Sequence, residues 1–129
     1  MTQNTKDRVA KENNYRQHII DQLSIESGQV ENCRPEQGQQ MYADKLEARI
    51  ESLKSMMDDM TEKSRHMEGE LREKFDRDRK ELDSRIQRLK ESLSDIRGAG
   101  EAAWKQMSSG TSKAMKELID GIKTAATRF

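Results

Sequence analysis

The feature that most constrains this chain is the lack of any proline after Pro35. The chain contains one proline, so residues 36–129 carry no side chain that removes a backbone donor and kinks a helix. Apolar residues recur through this region at helical spacing. The sequence therefore predicts an all-α fold in which residues 41–97 form one long, charged, amphipathic helix.

Two helical repeats follow one another in this predicted helix. The first seam consists of Leu46, Ile50, Leu53, Met57 and Met60, spaced as a heptad. From Met67 the seam continues with an 11-residue period through Leu71, Phe75, Asp78, Leu82, Ile86 and Leu89. Heptads give left-handed supercoils, whereas 11-residue repeats give nearly straight or right-handed ones. This mixed periodicity predicts a coiled coil that buries a single stripe.

The 11-residue period runs on to the end of the chain. Its later triplets are Leu89, Leu93 and Ile96; Gly100, Trp104 and Met107; Thr111, Met115 and Leu118; and Ile122, Ala126 and Phe129. Alanines also recur 11 residues apart at positions 103, 114 and 125. This self-similarity predicts a shorter C-terminal amphipathic helix, residues 101–129, built from an internal repeat.

Residues 98–100, with glycines at both ends, form the predicted hinge between the two helices. Glycine lowers helix stability, and a few residues suffice for a helical hairpin. Because the 11-residue spacing continues across residues 98–100 without interruption, one continuous helical rod is the alternative. In a hairpin, Trp104, Met107, Met115 and Leu118 would pack on Phe75, Leu82, Ile86 and Leu89.

Such a hairpin would leave the seam of residues 46–67 uncovered, because the second helix is only about half as long as the first. We therefore expect this seam to be the main interface of a homo-oligomer, aided by Ile19, Ile20 and Leu23. A helix that buries one stripe loses its main source of stability when alone. The isolated chain is accordingly not expected to be a stable monomer.

The N-terminal region carries weaker signals. Residues 1–26 form a polar arm predicted to be weakly helical or disordered, and residues 27–40, with Gly28, Pro35 and Gly38, are predicted to be a linker. No apolar segment resembles a signal peptide or a membrane span, and the single Cys33 favours a reducing compartment. The predicted location is cytoplasmic, with membrane association as an alternative.

Composition disfavours several functions. Charged residues make up 37% of the chain and hydrophobic ones 32%, so little beyond a narrow seam can be buried. A walled pocket for a small-molecule substrate or a cofactor is not expected, and neither is an enzyme. The 24 basic and 24 acidic residues are interleaved, which provides no basic surface for nucleic acid.

Three further features of the sequence are candidate sites. His66 and Glu70 are spaced to face one side of a helix, but two ligands are too few for a closed metal site. Asp78 in the seam either fixes the helix register or marks a place open to water. Trp104 suits a partner pocket or a membrane interface, although packing within the helical bundle is the simpler interpretation.

One segment resembles a known family. The residues are Ala103, Trp104, Met107, Gly110, Ala114, Met115 and Leu118. Their spacing is similar to the Ala-Trp-x-x-apolar-x-x-Gly-x-x-x-Ala-Trp-x-x-Leu pattern of small bacterial coiled-coil proteins described as stress-response proteins. Met115 replaces the second tryptophan of that pattern. The resemblance covers residues 41–129 and implies a stress-associated, non-catalytic role.

Three functions are consistent with these features. The leading hypothesis is a non-enzymatic coiled-coil scaffold or stress-response protein that self-associates through its helices. The alternative is a peripheral membrane protein that binds lipid through residues 101–129, where five basic residues exceed three acidic ones. The third is an adaptor whose N-terminal arm folds on a partner.

Overall fold

The computed structural model describes the backbone of residues 2–129 and the side chains of residues 14–129. These residues form four α-helices: α1, Thr2–Glu31; α2, Gln39–Ser64; α3, Gly69–Gly98; and α4, Glu101–Ala126. A 3₁₀ turn, Pro35–Gln37, lies between α1 and α2. No strand occurs within residues 2–129, so the predicted all-α class is confirmed.

Each helix packs against the helices before and after it, and α4 returns to pack against α1. Short connections between consecutive helices produce antiparallel neighbours, which is the up-and-down arrangement of a four-helix bundle. All four helices contribute side chains to one continuous core. Its largest fully buried members are Leu23, Tyr42, Leu46, Ile50, Leu53, Met57, Met60, Phe75, Ile96, Met115, Leu118 and Ile119.

The structure corrects the predicted continuous helix over residues 41–97. Helix α2 ends at Ser64, and α3 begins at Gly69. Gly69 has a φ of +65°, a left-handed conformation that costs glycine little. The Ser64 hydroxyl donates to the carbonyl oxygen of Thr61 at 2.6 Å, a local bond that competes with helix continuation. The break falls where the heptad spacing gives way to the 11-residue spacing.

The N-terminal region also differs from its prediction. Helix α1 continues through Gly28 to Glu31, so the irregular connection is shorter than the predicted linker of residues 27–40. Ile19, Leu23 and Val30 are buried in the common core. Burial against neighbouring helices therefore stabilises a segment whose own sequence favours a helix only weakly. The part of the predicted arm that precedes residue 14 lies outside the described side chains.

At residues 98–100 the chain reverses, so the hairpin is correct and the continuous rod is not. The guanidinium of Arg85 donates to the Glu117 carbonyl oxygen at 3.2 Å. Asp78 accepts a bond from Arg128 at 3.1 Å, which pairs the seam carboxylate while leaving it partly open to water. The aromatic neighbour of Trp104 is Tyr42 on α2, with ring centroids 6.0 Å apart.

The heptad seam is covered within one chain. The side chains of Leu46, Ile50, Leu53, Met57 and Met60 are at most 1% exposed. Helices α1 and α3 pack on α2 and supply the cover that was expected from a second copy. The predicted intermolecular interface is therefore corrected to an intramolecular one, and the reason for expecting an unstable monomer no longer applies. Association of whole bundles stays a prediction.

Two glycines of α4 provide a test of the α3–α4 packing. A Cβ atom at Gly121 would lie 2.7 Å from Leu82 Cδ2, whereas one at Gly110 would meet nothing within 4 Å. We expect Gly110→Ala to raise the free energy of unfolding by about 0.5–1 kcal/mol through helix propensity. Gly121→Ala gains the same propensity but must displace the buried Leu82, at a cost of about 1–3 kcal/mol.

Urea denaturation of both variants measures the difference. Gly121→Ala should be less stable than Gly110→Ala by at least about 1 kcal/mol. Equal stabilisation by the two alanines would mean that α3 and α4 do not approach as closely as the structure has them.

Candidate functional site

Helix α4 is the most strongly amphipathic of the four described helices. Its apolar face comprises Trp104, Met107, Thr111, Met115, Leu118, Ile122 and Ala126, and Phe129 follows beyond the end of the helix. Six of these eight side chains are buried, while Met107 and Phe129 are partly buried. The predicted 11-residue repeat thus becomes a stripe that faces the bundle interior along the whole helix.

Three lysines run beside this face. Lys105, Lys116 and Lys123 are 11 and 7 residues apart, and both intervals are close to whole turns at about 3.6 residues per turn. They therefore share one flank of α4. Lys105 and Lys116 are exposed and Lys123 is partly exposed. The helix combines an apolar stripe with a basic edge.

The N-terminal half of α4 is fastened to α2 through Tyr42. The fully buried Tyr42 hydroxyl donates to the carbonyl oxygen of Ser108 at 2.8 Å and lies 2.6 Å from the hydroxyl of Ser112. Since the phenol proton is used by the carbonyl, Ser112 can donate to Tyr42. Burial is the main cause that raises the pKa of Tyr42 above its usual value. The Tyr42 side chain is therefore the neutral phenol, which keeps its proton for the bond to Ser108.

A buried ion pair joins α1 to α2. The Glu26 carboxylate is 6% exposed and accepts bonds from Arg49 Nη1 at 3.0 and 3.1 Å. Ser52 Oγ donates to the same carboxylate at 2.6 Å. Buried charges persist in proteins when they are paired in this way. Sequence patterns did not identify this cluster, because its members lie on two helices and one of them was assigned to the N-terminal arm.

Cys33 lies at the end of α1 beside α2. Its thiol donates to the Gln29 carbonyl oxygen at 3.3 Å. Burial raises the pKa of the Cys33 thiol, and the positive charges of Lys45 and Arg49 only partly oppose that shift. The reactive thiolate is therefore disfavoured, which makes a packing role the better account of Cys33.

Two of the open clefts on the described surface are lined in part by α4. One, of about 340 Å³, lies over Gly121 and is bordered by four carboxylates on α3 and α4. The other, of about 570 Å³, lies at the end of the bundle between the 3₁₀ turn and the start of α4, beside Trp104. Neither gathers a nucleophile with a base, and we assign no reaction to them.

His66 and Glu70, which the sequence spaced for one side of a helix, do not share a helix, because His66 lies in the turn between α2 and α3 and Glu70 lies in α3. Within the described residues, no group of three or more His, Cys, Asp and Glu side chains is placed to hold a metal ion.

The predicted interface residues converge inside the chain, with one clear exception. Leu46, Ile50, Leu53, Met57, Met60, Phe75, Leu82, Ile86, Leu89, Trp104, Met115 and Leu118 are buried; Met67 and Met107 are partly buried; Leu71 is exposed. Tyr42, Val30 and Ile119 also belong to the core but were missed. Ile119 lies beside the repeat template, and the other two lie before the main periodic region.

The described structure is thus a single-chain four-helix bundle with one strongly amphipathic terminal helix. No helix of the described residues is long and apolar enough to cross a bilayer. Comparison with protein-family models, curated proteins and solved structures found no match to this chain. The resemblance to a bacterial stress-response family accordingly stays a prediction.

Proposed function

We propose that this chain is a non-enzymatic helical-bundle protein that binds a lipid surface through the apolar face of α4. The observation that carries the proposal is the arrangement of that face: a stripe along the whole helix, Trp104 near its start, Phe129 beyond its end and lysines on one flank. Helices that lie in the plane of a membrane interface combine these features.

The 11-residue repeat matters for this function because it keeps the stripe nearly straight. A straight stripe can lie on a flat surface over its full length, whereas a supercoiled stripe would turn away from it. Lysines on the flank would reach the level of anionic headgroups, where each contributes about 1 kcal/mol of attraction. Tryptophan is favoured at this depth because its ring is apolar and its N–H is polar.

Self-association, the leading hypothesis from the sequence, rested on an uncovered seam at residues 46–67. Because α1 and α3 cover that seam within the chain, a second copy could use it only after the bundle opens. Lipid reaches the buried face of α4 under the same condition. A self-associating scaffold is therefore the competing outcome of the experiment below.

Trp104 is the only tryptophan and reports directly on the proposal. Vesicles of phosphatidylcholine and phosphatidylglycerol with brominated acyl chains should quench its fluorescence, because bromine quenches only at close range. We also expect the protein to co-sediment with the vesicles and to remain helical by circular dichroism. Vesicles of phosphatidylcholine alone should bind more weakly, since they lack the charge that the lysines would meet.

A charge-matched pair of variants tests the lysine flank. Replacing Lys105, Lys116 and Lys123 by Gln should weaken vesicle binding by about 100-fold, at about 1 kcal/mol for each lysine. The control replaces Lys45, Lys54 and Lys80 by Gln, which changes net charge equally but leaves α4 intact. Equal effects of the two sets would contradict the role of α4.

Two further results would count against the proposal. An unquenched Trp104 without co-sedimentation would show that lipid is not the partner. A lipid-free dimer by sedimentation equilibrium, together with an unquenched Trp104, would favour the self-associating scaffold instead.

A further inference from the structure

We infer that the bundle opens along the seam between α1 and α4 and unrolls into a layer of four helices whose apolar faces contact the lipid. This inference rests on the proposed function and adds the surface that the membrane meets. It follows from how unevenly polar contacts are distributed among the four seams of the bundle.

The α2–α3 seam carries polar contacts along most of its length. Arg97 bridges to Asp44 and Glu47, each at 2.7 Å. Further along, Lys90 pairs with Glu51 at 3.5 Å and Arg79 pairs with Asp58 at 2.8 Å. At the end of the seam, the Gln39 amide donates to the Ile96 and Ala99 carbonyl oxygens at 2.6 and 2.8 Å. The acidic partners are exposed, so each ion pair contributes only about 0–1 kcal/mol; their number and the part-buried Gln39 bonds hold this seam together.

The α1–α2 and α3–α4 seams are joined both by loops and by polar contacts. Across α1–α2, the Glu26 carboxylate holds Arg49 and Ser52, and the Tyr15 hydroxyl donates to Asp59 at 2.8 Å. The contacts across α3–α4 are the bonds from Arg128 to Asp78 and from Arg85 to the Glu117 carbonyl oxygen. Each of these helix pairs would therefore stay together when the bundle opens.

The α1–α4 seam lacks both kinds of connection. Among residues 14–129, no hydrogen bond or ion pair joins these helices, and no loop connects them directly. Their packing includes an edge-to-face contact of Tyr15 with Phe129, just beyond the end of α4, with ring centroids 5.2 Å apart, and Ile19 and Leu23 of α1 are buried in the common core. Lipid chains replace apolar contacts at little cost, because they are as apolar as the side chains they displace. Opening at this seam thus breaks the fewest polar contacts among the described residues.

Among residues 14–129, unrolling breaks one set of polar contacts, because α2 and α4 are not neighbours in the open layer. These are the bonds of the Tyr42 hydroxyl to Ser108 and Ser112. Tyr42→Phe removes them while keeping the ring. We expect this variant to bind vesicles about three- to tenfold more tightly, because the closed state loses contacts that the open state does not have. Unchanged or weaker binding would contradict the unrolled state.

Spin-label distances identify the seam that opens. In a Cys33→Ala background, one pair of labels replaces the exposed Ser24 on α1 and the exposed Asp120 on α4, which leaves the three flank lysines in place. The matched pair replaces the exposed Ser55 on α2 and Ser84 on α3. On vesicles, the α1–α4 distance should lengthen to about 30 Å, since three spacings of roughly 8–10 Å separate the outer helices of the layer. The α2–α3 distance should stay that of neighbouring helices.

The outcomes separate this inference from the proposed function. Quenching of Trp104 with an unchanged α1–α4 distance would leave lipid binding standing and overturn the unrolling. Lengthening of the α2–α3 distance would also overturn it, because the polar seam would then be the one that opens.

Failure of the protein to bind vesicles would refute the proposed function, and the same labels in lipid-free protein would then decide the inference. Below the main urea transition, a long-distance population confined to the α1–α4 pair would support the weak seam. Simultaneous loss of both short distances would overturn it.

Discussion

Replacing Leu46 by Ala is expected to lower the free energy of unfolding by about 2–5 kcal/mol, the range for deleting a large buried aliphatic side chain. Leu46 is 0% exposed, whereas Leu71, which belongs to the same predicted seam, is 50% exposed. Leu71→Ala removes the same atoms and should change stability by only about 0.5 kcal/mol. Urea denaturation followed by circular dichroism measures both values, and equal losses would refute the burial pattern.

The same experiment distinguishes the single-chain core from the oligomer predicted by the sequence. If Leu46 packs within its own chain, the urea midpoints of the wild type and of Leu46→Ala are independent of protein concentration. A seam between chains would give midpoints that rise with concentration, because association stabilises the folded form by mass action.

The second large effect is expected at the Glu26 ion pair. Glu26→Ala removes the carboxylate that Arg49 and Ser52 contact and leaves the guanidinium without its partner. Breaking a fully buried pair costs about 3–5 kcal/mol. The side chain of Arg49 is 23% exposed and can be partly hydrated, so we expect a loss of about 2–3 kcal/mol.

Glu47→Ala is the matched control, because Glu47 also pairs with an arginine across two helices but is 61% exposed. Its removal should cost about 0–1 kcal/mol, the range for surface ion pairs. Thermal or urea unfolding compares the two. Similar losses would mean that Glu26 is hydrated to the same extent as Glu47, and that α1 is not fixed to α2 in the way described.

The residues of α4 show how much local periodicity can predict. Their 11-residue repeat indicated both the helix and its inward face, and Trp104, Met115 and Leu118 are buried as that face requires. The glycines at residues 98–100 indicated that the chain reverses there. The uninterrupted 11-residue spacing was also consistent with one continuous helix. The Lys105, Lys116 and Lys123 flank could likewise have been derived from spacing alone.

Other features depend on contacts between segments far apart in the sequence. Helix α1 has few apolar residues, yet Ile19, Leu23 and Val30 are buried because other helices surround them. Tyr42 lies four residues before Leu46 and therefore on the same face of α2, but its bond to the Ser108 carbonyl oxygen depends on α4 lying beside it. The break after Ser64 coincides with a change of spacing that was itself visible, but spacing alone does not distinguish a phase shift within a helix from a turn.

The sequence by itself therefore determined the helical class and most of the buried residues, because the period of apolar side chains specifies which face of a helix is apolar. It did not determine what covers each face, since helices of the same chain and of a second copy satisfy the same period equally well. Only the tertiary structure decided that α1 and α3 cover residues 46–60 and that α1 and α4 meet without polar bonds among the described residues. Those arrangements depend on which helices lie side by side, and periodicity carries no information about neighbours.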